Sequence, residues 1–506
     1  MGAGAAAMAM TAKSATLAQS RPRQPNILLL MGDQHRADAI GADGNRLIKT
    51  PNLDRIAAEG VLFRHAYSCT PSCTPVRAAL LTGLSPWRHG MLGYGRVAAQ
   101  YKTEMPAMLR EAGYHTLGIG KMHWFPQRSL HGFHTTILDE SGRVESPDFV
   151  SDYRQWFRKQ APELDPDATG LTWNDYRARA YALPERLHST CWTGDQAVEF
   201  LTNYRDREPF FLKVSFARPH SPYDPPERFW KMYQEAEVPK PSVGRWAERN
   251  AMRDVKIPRP DTFRGDLGEQ TALSSRRGYY GSVSFLDEQI GRILKALEDR
   301  GWLENTFILY TSDHGDMLGD HYLWRKTYAY EGSARVPMLV RWPEGMSSAR
   351  RGGKCDQVVE LRDVLPTFLD AAGVKADPTR FDGQSMLRVI RGEVKGWREY
   401  LDLEHSRCYW PGNQWTGLTD GRCKYVYCAY DGSQQLFDLQ KDPGECTDLA
   451  GQEEHKDTLA LWRKRMVRHL SERGEPFVVN GDLGIREKPT LYSPNYPGKS
   501  ASQPAG

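Results

Sequence analysis

The chain has 506 residues, of which 40% are hydrophobic and 11% aromatic, enough for one large domain and a smaller one. Its formal net charge is only +4 at pH 7, with positive and negative residues interspersed. A nucleic-acid surface, which needs a basic stripe, is therefore not predicted. No apolar run reaches the length of a membrane-spanning helix, so the sequence predicts no membrane span.

Residues 1–24 are predicted to be a leader. The first ten residues are almost entirely Gly, Ala and Met, and small polar residues follow up to Ser20. This composition resembles the apolar centre and cleavage region of an export signal that lacks its basic start. It predicts a periplasmic or secreted protein if the true start lies upstream, as the tail of a twin-arginine signal. The alternative is a disordered leader on a cytoplasmic protein.

Strands and helices alternate through residues 25–375, the predicted catalytic domain. The predicted strands lie at 25–31, 61–67, 115–120, 210–216, 306–311 and 336–342. The predicted helices lie at 51–59, 105–112, 194–204, 278–300 and 361–372. Such alternation predicts an α/β fold whose large, mostly parallel sheet is flanked by helices on both faces.

Residues 376–480 have a different pattern and are predicted to form a smaller C-terminal α+β subdomain. Short alternating runs at 400–404, 424–429 and 435–439 indicate an antiparallel sheet, followed by a helix at 458–472. If the protein is exported, one or two disulfides are expected among four cysteines of this region: Cys408, Cys423, Cys428 and Cys446. Residues 481–506, rich in Pro, Gly and Ser, are predicted to be a loosely held tail.

The most informative stretch is Cys73-Thr74-Pro75-Val76-Arg77, a short loop leading into an apolar helix. Pro75 suits the first position of a helix, which places Cys73 just before an N-terminus whose N–H groups favour anions. Arg77, one turn further on, points back to the same place. A nucleophile, a cation and a helix dipole therefore converge on one anion-sized volume. For an isolated Cys–Arg pair, the alternative is a buried cysteine beside a surface arginine.

Metal-binding side chains follow two of the predicted strands. Asp33 and Gln34 end the first strand, and Asp313 and His314 follow a later one. Ligands of α/β sheets sit at the carboxyl ends of the strands, where carboxylate, amide and imidazole groups suit Ca²⁺ or Mg²⁺, and also Mn²⁺. One Asp-His pair is more often a cap or a turn, but two pairs together with Cys73 predict a shared metal centre.

These motifs resemble the formylglycine-dependent (type I) sulfatase family of the alkaline phosphatase superfamily. The resemblance rests on the Cys-x-Pro-x-Arg run with its Ala/Leu-rich Thr-Gly continuation, the Asp33-Gln34 strand end and the Ser312-Asp313-His314-Gly315-Asp316 segment. It extends from about Pro25 to Trp342. It implies a sulfatase that hydrolyses a sulfate monoester, with Cys73 first oxidised to Cα-formylglycine by a separate formylglycine-generating enzyme.

The resemblance also implies roles for individual residues. The implied catalytic residues are Cys73, Arg77, His123 and His220. The implied substrate-binding residues are Lys121, Lys326 and His220. One divalent cation, most often Ca²⁺, is implied to bind Asp33, Gln34, Cys73, Asp313 and His314. In this scheme Arg77 stabilises the aldehyde hydrate, His220 protonates the leaving oxygen, and His123 removes a proton so that sulfate is expelled.

The sequence departs from the family pattern at two positions. Gln34 and His314 stand where many members have Asp and Asn, and this combination is also similar to choline-sulfatase and phosphonate monoester hydrolase relatives. Cys69 begins a near-repeat of the Cys73 motif but has no arginine four residues on, so it is predicted to be structural. The alternative functions are therefore a phosphonate monoester hydrolase or phosphodiesterase, and a catalytically silent protein that binds sulfated glycans.

Aromatic and polar residues are predicted to form a rim around the sulfate pocket. They are Trp124, His405, Arg407, Tyr409, Trp410, Asn413, Gln414 and Trp415. Aromatic side chains with polar neighbours suit a sugar ring, which favours a carbohydrate sulfate over a simple aryl or alkyl sulfate. The same residues would also fit a packed hairpin.

Overall fold

The computed structural model describes residues 24–140, 148–253 and 259–498. The predicted leader, apart from Gln24, and residues 499–506 of the predicted tail lie outside these ranges. The helices are α1 Pro51–Ala58, α2 Cys73–Thr82, α3 Pro86–His89, α4 Met105–Glu111, α5 Asp152–Gln160, α6 Ser189–Asn203, α7 Glu227–Tyr233, α8 Glu269–Asp299, α9 Glu331–Ala334, α10 Val364–Ala371, α11 Met386–Ile390 and α12 Lys456–Leu470. Within the described ranges, none of these helices has the length and apolarity needed to cross a bilayer.

The described ranges contain sixteen strands, and those of the main sheet are distributed along the predicted catalytic domain. The strands are β1 Asn26–Asp33, β2 Val61–Phe63, β3 Ala66–Tyr67, β4 His115–Gly120, β5 Thr135–Leu138, β6 Phe210–Pro219, β7 Thr306–Ser312, β8 Met338–Arg341, β9 Gly353–Cys355, β10 Val359–Glu360, β11 Leu401–His405, β12 Trp415–Thr419, β13 Cys423–Cys428, β14 Gln434–Asp438, β15 Val478–Val479 and β16 Asp482–Leu483. Eight of them form one sheet in the order β5-β4-β6-β1-β7-β8-β2-β9. Only β8 runs antiparallel to its neighbours, which confirms the mostly parallel sheet.

Helices cover both faces of this sheet, as the sequence predicts. The central strand β1 is buried along its whole length, and its side chains alternate between two apolar cores. Leu29 packs into the core that contains residues of α2, α4 and α10. Leu28 packs into the core that contains residues of α1, α6 and α8. Because β1 is covered on both faces, a ligand can reach the polar residue at its end, Asp33, only from the carboxyl edge of the sheet.

The predicted strand at 61–67 is wrong in extent. It is divided into β2, which joins the main sheet, and β3, which pairs with β10 in a separate two-stranded sheet. The exposed Arg64 and half-buried His65 lie between them. The Arg64 N–H donates to the carbonyl of Cys355 at 2.9 Å, so the chain leaves the main sheet directly after its last pairing with β9.

The C-terminal subdomain contains an antiparallel sheet in the order β11-β12-β13-β14, which confirms the prediction. Its helix α12 packs Trp462, Met466 and Leu470 against this sheet. The strand β12 is not among the predicted strands, because Trp415 at its start has the residue type expected of a substrate rim. All eight cysteines of the chain are free thiols in the structure, so the disulfides considered for this region are absent.

Part of the predicted tail is firmly attached, contrary to expectation. The N–H of Leu92 donates to the carbonyl of Leu491 at 2.9 Å. The Tyr496 hydroxyl donates to the carbonyl of Arg96 at 2.7 Å. The segment therefore packs onto the loop that follows α3, because its tyrosines supply apolar area and hydrogen bonds that its Pro and Gly content does not reveal.

Candidate active site

Four potential metal ligands converge at the carboxyl ends of β1 and β7. Asp33, Cys73, Asp313 and His314 are all buried, and one ligand atom from each lies within 4.8 Å of the others. Asp33 is the last residue of β1, and Asp313 and His314 directly follow β7. Because β1 and β7 are parallel neighbours, their ends meet at one edge, and the predicted ligands come together there.

Cys73 is the first residue of α2; the sequence had placed it one or two residues before the helix. Its Sγ lies 3.2 Å from Nε2 of His314. Burial alone would raise the pKa of this thiol, but the positive charges of Lys326, Lys121 and His314 outweigh it and lower the pKa to about 6. Such a thiol is present largely as thiolate at neutral pH.

Cys69 has the opposite environment. It is fully buried within the apolar core that also contains α2. Burial raises the pKa of its thiol, so this side chain remains protonated and apolar. These surroundings support the predicted structural role of Cys69.

Arg77 lies beneath the cluster and joins its two carboxylates. Its Nε donates to Oδ2 of Asp313 at 3.0 Å and one Nη donates to Oδ2 of Asp33 at 3.2 Å. The other Nη donates to the carbonyl of Lys121 at 2.6 Å and to Oγ of Ser215 at 3.1 Å. All of these groups are buried, so Arg77 orients the acidic ligands through a charge-assisted network.

The two carboxylates stay ionised despite their burial. Burial and the repulsion between Asp33 and Asp313 both act to raise the pKa of Asp33, but the positive charges of Lys121 and Arg77 hold that pKa well below its usual range. For Asp313, burial again opposes ionisation, and His314, Arg77 and Lys121 hold the pKa down.

The residues fit a divalent cation. Oδ1 of Asp33 is buried and accepts no hydrogen bond from any described residue. An ionised carboxylate oxygen in this condition is costly unless a positive group binds it. Two carboxylates with an imidazole at the same point match the ligands that divalent cations take in proteins.

Gln34, a predicted metal ligand, is hydrogen-bonded to groups on three sides of the cluster. It has a left-handed backbone, with φ of 66°, and its N–H donates to Oδ1 of Asp313 at 3.0 Å. Its Oε1 accepts from Nζ of Lys326 at 3.0 Å, and its Nε2 donates to Asp316. The side-chain amide of Gln34 therefore links Asp316 to Lys326. Only the second lone pair of Oε1 remains for a metal.

Lys326 and His220 form a buried pair beside the cluster. Nζ of Lys326 lies 2.8 Å from Nε2 of His220, and Nδ1 of His220 lies 2.7 Å from the carbonyl of Ser221. Because a carbonyl only accepts, Nδ1 carries the proton and Nε2 accepts from the lysine. Burial, together with Lys326 and Lys121, holds the pKa of His220 well below its usual range, so the ring is neutral.

Lys121 contacts the cluster of predicted metal ligands directly, whereas His123 is not among its members. Lys121 is fully buried and forms an ion pair with Asp33, so it belongs to the site. His123 is not part of the four-residue metal cluster. Its backbone N–H donates to Oε1 of Glu140 at 2.9 Å, and its Nε2 lies 3.5 Å from the Tyr94 hydroxyl.

Two contributors to the site were missed by sequence reasoning. The ring of Trp173 stacks on His220, with centroids 4.1 Å apart and planes at 13°, and Nζ of Lys121 lies 5.3 Å from the centre of the same ring. Trp173 lies in an irregular segment without a motif, so no sequence signal identified it. Asp316 has an acidic side chain three residues after Asp313, and this spacing is a sequence signal that could have identified it.

Most of the residues predicted to form a substrate rim pack within a hairpin, which was the alternative interpretation. Trp124, His405, Asn413, Gln414 and Trp415 are buried. β11 and β12 pair antiparallel, with His405 opposite Trp415. Tyr409 and Trp410, in the connection between these strands, stack on Phe263 at centroid distances of 5.0 and 5.4 Å. Arg407 alone of the eight is exposed.

Comparison with known proteins identifies relatives over nearly the whole chain. Residues 25–374 match the Sulfatase family, and residues 319–472 match the family described as N-sulphoglucosamine sulphohydrolase, C-terminal. The chain is 38% identical over 479 residues to an arylsulfatase of Clostridium perfringens (strain 13 / Type A), covering 91% of this chain and 97% of that protein. It is 31% identical over 445 residues to a choline-sulfatase of Rhizobium meliloti (strain 1021), covering 84% and 82%. The crystal structure of the phosphonate monoester hydrolase of Agrobacterium radiobacter aligns with a TM-score of 0.74 at 25% identity, covering 91% of this chain and 99% of that one.

The large, mostly parallel sheet with helices on both faces is the fold of the alkaline phosphatase superfamily. Within that superfamily the chain belongs to the sulfatase family, which confirms the resemblance found in the sequence. It is a sulfuric ester hydrolase, and the family requires a divalent metal and a formylglycine.

Proposed function

We propose that the protein hydrolyses carbohydrate sulfate monoesters, with aryl or alkyl sulfates as simpler substrates, and that Cys73 is its formylglycine position. One arrangement carries this proposal: the thiol of Cys73 lies in a buried cluster with Asp33, Asp313 and His314. Cys69 is not part of this cluster, and burial raises the pKa of its thiol. The match of residues 319–472 to an N-sulphoglucosamine sulphohydrolase C-terminal family supports a sugar sulfate.

The proposed metal ligands are Asp33, Gln34, Asp313 and His314, together with the modified Cys73. Ca²⁺ fits best, because carboxylate and amide oxygens predominate and Ca²⁺ favours oxygen ligands. When bound, this cation would polarise the sulfate group and favour deprotonation of the nucleophile. Arg77 holds the two carboxylates in place from below.

The remaining groups bind and orient the substrate. A sulfate ester is anionic, so an approaching nucleophile meets negative charge. Lys121 and Lys326 offset that repulsion and stabilise the charge that grows on the sulfate oxygens. A formylglycine hydrate supplies one hydroxyl for attack on sulfur and a second for release of sulfate; its formation requires a formylglycine-generating enzyme.

Proton transfer is assigned to two histidines. His220 protonates the leaving oxygen from Nε2 after the ring has taken up a proton on substrate binding, while Lys326, 2.8 Å from Nε2 in the free site, keeps its charge for the sulfate oxygens. The negative charge of a bound sulfate ester favours the protonated imidazole, which the free site disfavours. His123 removes the proton from the second hydroxyl.

Kinetics on paired substrates test this function. A nitrophenyl sulfate, the matching phenyl phosphonate ester and a panel of sulfated saccharides are compared on enzyme made with a formylglycine-generating enzyme. The proposal expects the highest kcat/KM on a saccharide sulfate, and mass spectrometry should find formylglycine at position 73. Preference for the phosphonate would support the second candidate, a phosphonate monoester hydrolase, which the structural similarity to that enzyme favours. An unmodified Cys73 in active protein would contradict the proposed nucleophile.

A further inference from the structure

The segment that carries Lys326 has an unusual backbone. Arg325 and Thr327, on either side of it, have φ of 70° and 82°. Non-glycine residues rarely adopt left-handed φ values, and a β-branched threonine does so least readily. Such a conformation persists only where neighbouring groups enforce it. The contacts of Thr327 therefore determine where Lys326 points.

Three hydrogen bonds hold Thr327, and two of them come from the C-terminal subdomain. Its N–H donates to the carbonyl of Pro71 at 2.9 Å. Its carbonyl accepts from Nε1 of Trp415 at 2.9 Å, and its Oγ1 accepts from Nδ2 of Asn413 at 2.7 Å. Thr327, Asn413 and Trp415 are 1%, 3% and 4% exposed, so loss of one of these bonds would leave a buried polar group without its partner.

Asn413 lies in the connection between β11 and β12, and this connection also contacts Arg325, the residue before Lys326. The guanidinium of Arg325 lies over the ring of Tyr409, 4.7 Å from its centre. Nδ2 of Asn413 additionally donates to the carbonyl of Cys408 at 3.2 Å, which fixes the amide that holds Thr327. Both flanks of the lysine are thus fixed by one stretch of the subdomain.

We infer that Asn413 and Trp415 are positioning residues for sulfate ester hydrolysis. They hold Thr327 in its left-handed conformation, and this directs Nζ of Lys326 toward Oε1 of Gln34 and Nε2 of His220, at 3.0 and 2.8 Å. The C-terminal subdomain therefore completes an active site to which it supplies no proposed metal ligand. The inference rests on the proposed role of Lys326 in binding the sulfate group.

Trp415→Phe is the sharpest test, because it keeps an aromatic side chain in the buried site but removes the indole N–H that binds Thr327. The carbonyl of Thr327 then loses a buried partner, and a lysine misplaced by a fraction of an ångström should lower kcat/KM about 10-fold to 100-fold. Trp462→Phe is the matched control, since Trp462 is equally buried in the same subdomain but packs in its separate core. Its kcat/KM should equal that of the unmodified chain.

A double-mutant cycle separates positioning from a general structural effect. If Trp415 acts only through Lys326, Trp415→Phe should change kcat/KM by less than about twofold in a Lys326→Ala background. An equal loss in both backgrounds, or no loss from Trp415→Phe alone, would overturn the inference. Should Trp415→Phe lose its cooperative thermal transition, Asn413→Ala takes its place in the same cycle. Full activity of Lys326→Ala would instead refute the proposed role of Lys326 itself.

Discussion

Lys326 donates a hydrogen bond to His220 over 2.8 Å, so the two groups expected to bind sulfate and to protonate the leaving oxygen form one unit. The imidazole has its only ring proton on Nδ1, where the carbonyl of Ser221 accepts it at 2.7 Å. Lys326, whose own pKa is lowered by burial, donates to the other ring nitrogen and so orients the imidazole. Loss of either partner should therefore affect the departure of the alcohol.

His220→Ala should impair alkyl or saccharide sulfates far more than nitrophenyl sulfate. A nitrophenolate leaves with little assistance, whereas a sugar alkoxide requires a proton in the transition state. General acid catalysis contributes roughly 10²–10⁴-fold, so kcat on the alkyl substrate should fall by about that factor and much less on the aryl one. His134→Ala, at an exposed position, is the control. Equal losses on both substrates would indicate a role in sulfate binding instead.

The two cysteines of the near-repeat should respond differently to substitution by serine. In a host that oxidises only cysteine, Cys73→Ser should abolish turnover, because no aldehyde hydrate forms. Cys69→Ser should keep most activity and lose about 1–3 kcal/mol of stability, because it places a hydroxyl in an apolar core. Activity assays and thermal unfolding measure the two effects. Equal loss of activity from both variants would show that the wrong nucleophile was chosen.

Much of this site could be predicted from the sequence, because the relevant residues follow strand ends. Asp33 and Asp313 end neighbouring parallel strands, and such ends meet at one edge of a sheet. Cys73 lies at the start of a helix whose apolar run is evident in the sequence. The fold class was predictable for the same reason: buried strands and amphipathic helices have different periodicities.

Other features depend on contacts between distant segments, which periodicity does not encode. The stacking of Trp173 on His220 joins an irregular segment to a strand end. Trp415 was interpreted as a substrate contact because of its residue type, but its indole N–H is bound to Thr327. A buried tryptophan and an exposed one have the same appearance in a sequence, so only the structure distinguishes a packed hairpin from a rim.

Removal of the metal should inactivate the enzyme reversibly. After chelation, elemental analysis should find no divalent cation, and added Ca²⁺ should restore activity better than Mg²⁺ or Mn²⁺. Asp313→Asn, which keeps the shape of the ligand, should lower kcat about 10³-fold, because the cation contributes several kcal/mol to transition-state stabilisation. Asp195→Asn alters an exposed acid paired with Arg292 and should have no effect. Normal turnover by verified metal-free protein would refute the metal role.

Removal of Arg77 should make the stability of the protein depend on the metal. Arg77 is hydrogen-bonded to both Asp33 and Asp313, and all three side chains are buried. Arg77→Ala therefore leaves buried negative charge without one of its partners, a change that typically costs about 3–5 kcal/mol. A divalent cation at the same carboxylates should recover part of this loss, because ligands that bind only the folded state raise its stability.

Differential scanning calorimetry with and without Ca²⁺ measures this dependence. The rise in Tm on adding Ca²⁺ should be larger for Arg77→Ala than for the unmodified chain. Ser215→Ala, which removes only the 3.1 Å bond from Arg77 to the Ser215 hydroxyl, should respond to Ca²⁺ as the unmodified chain does. Arg77→Lys retains the charge but not the planar fork that reaches both carboxylates, so its response should be intermediate. An identical Ca²⁺ response in all four proteins would mean that the cation does not bind Asp33 and Asp313.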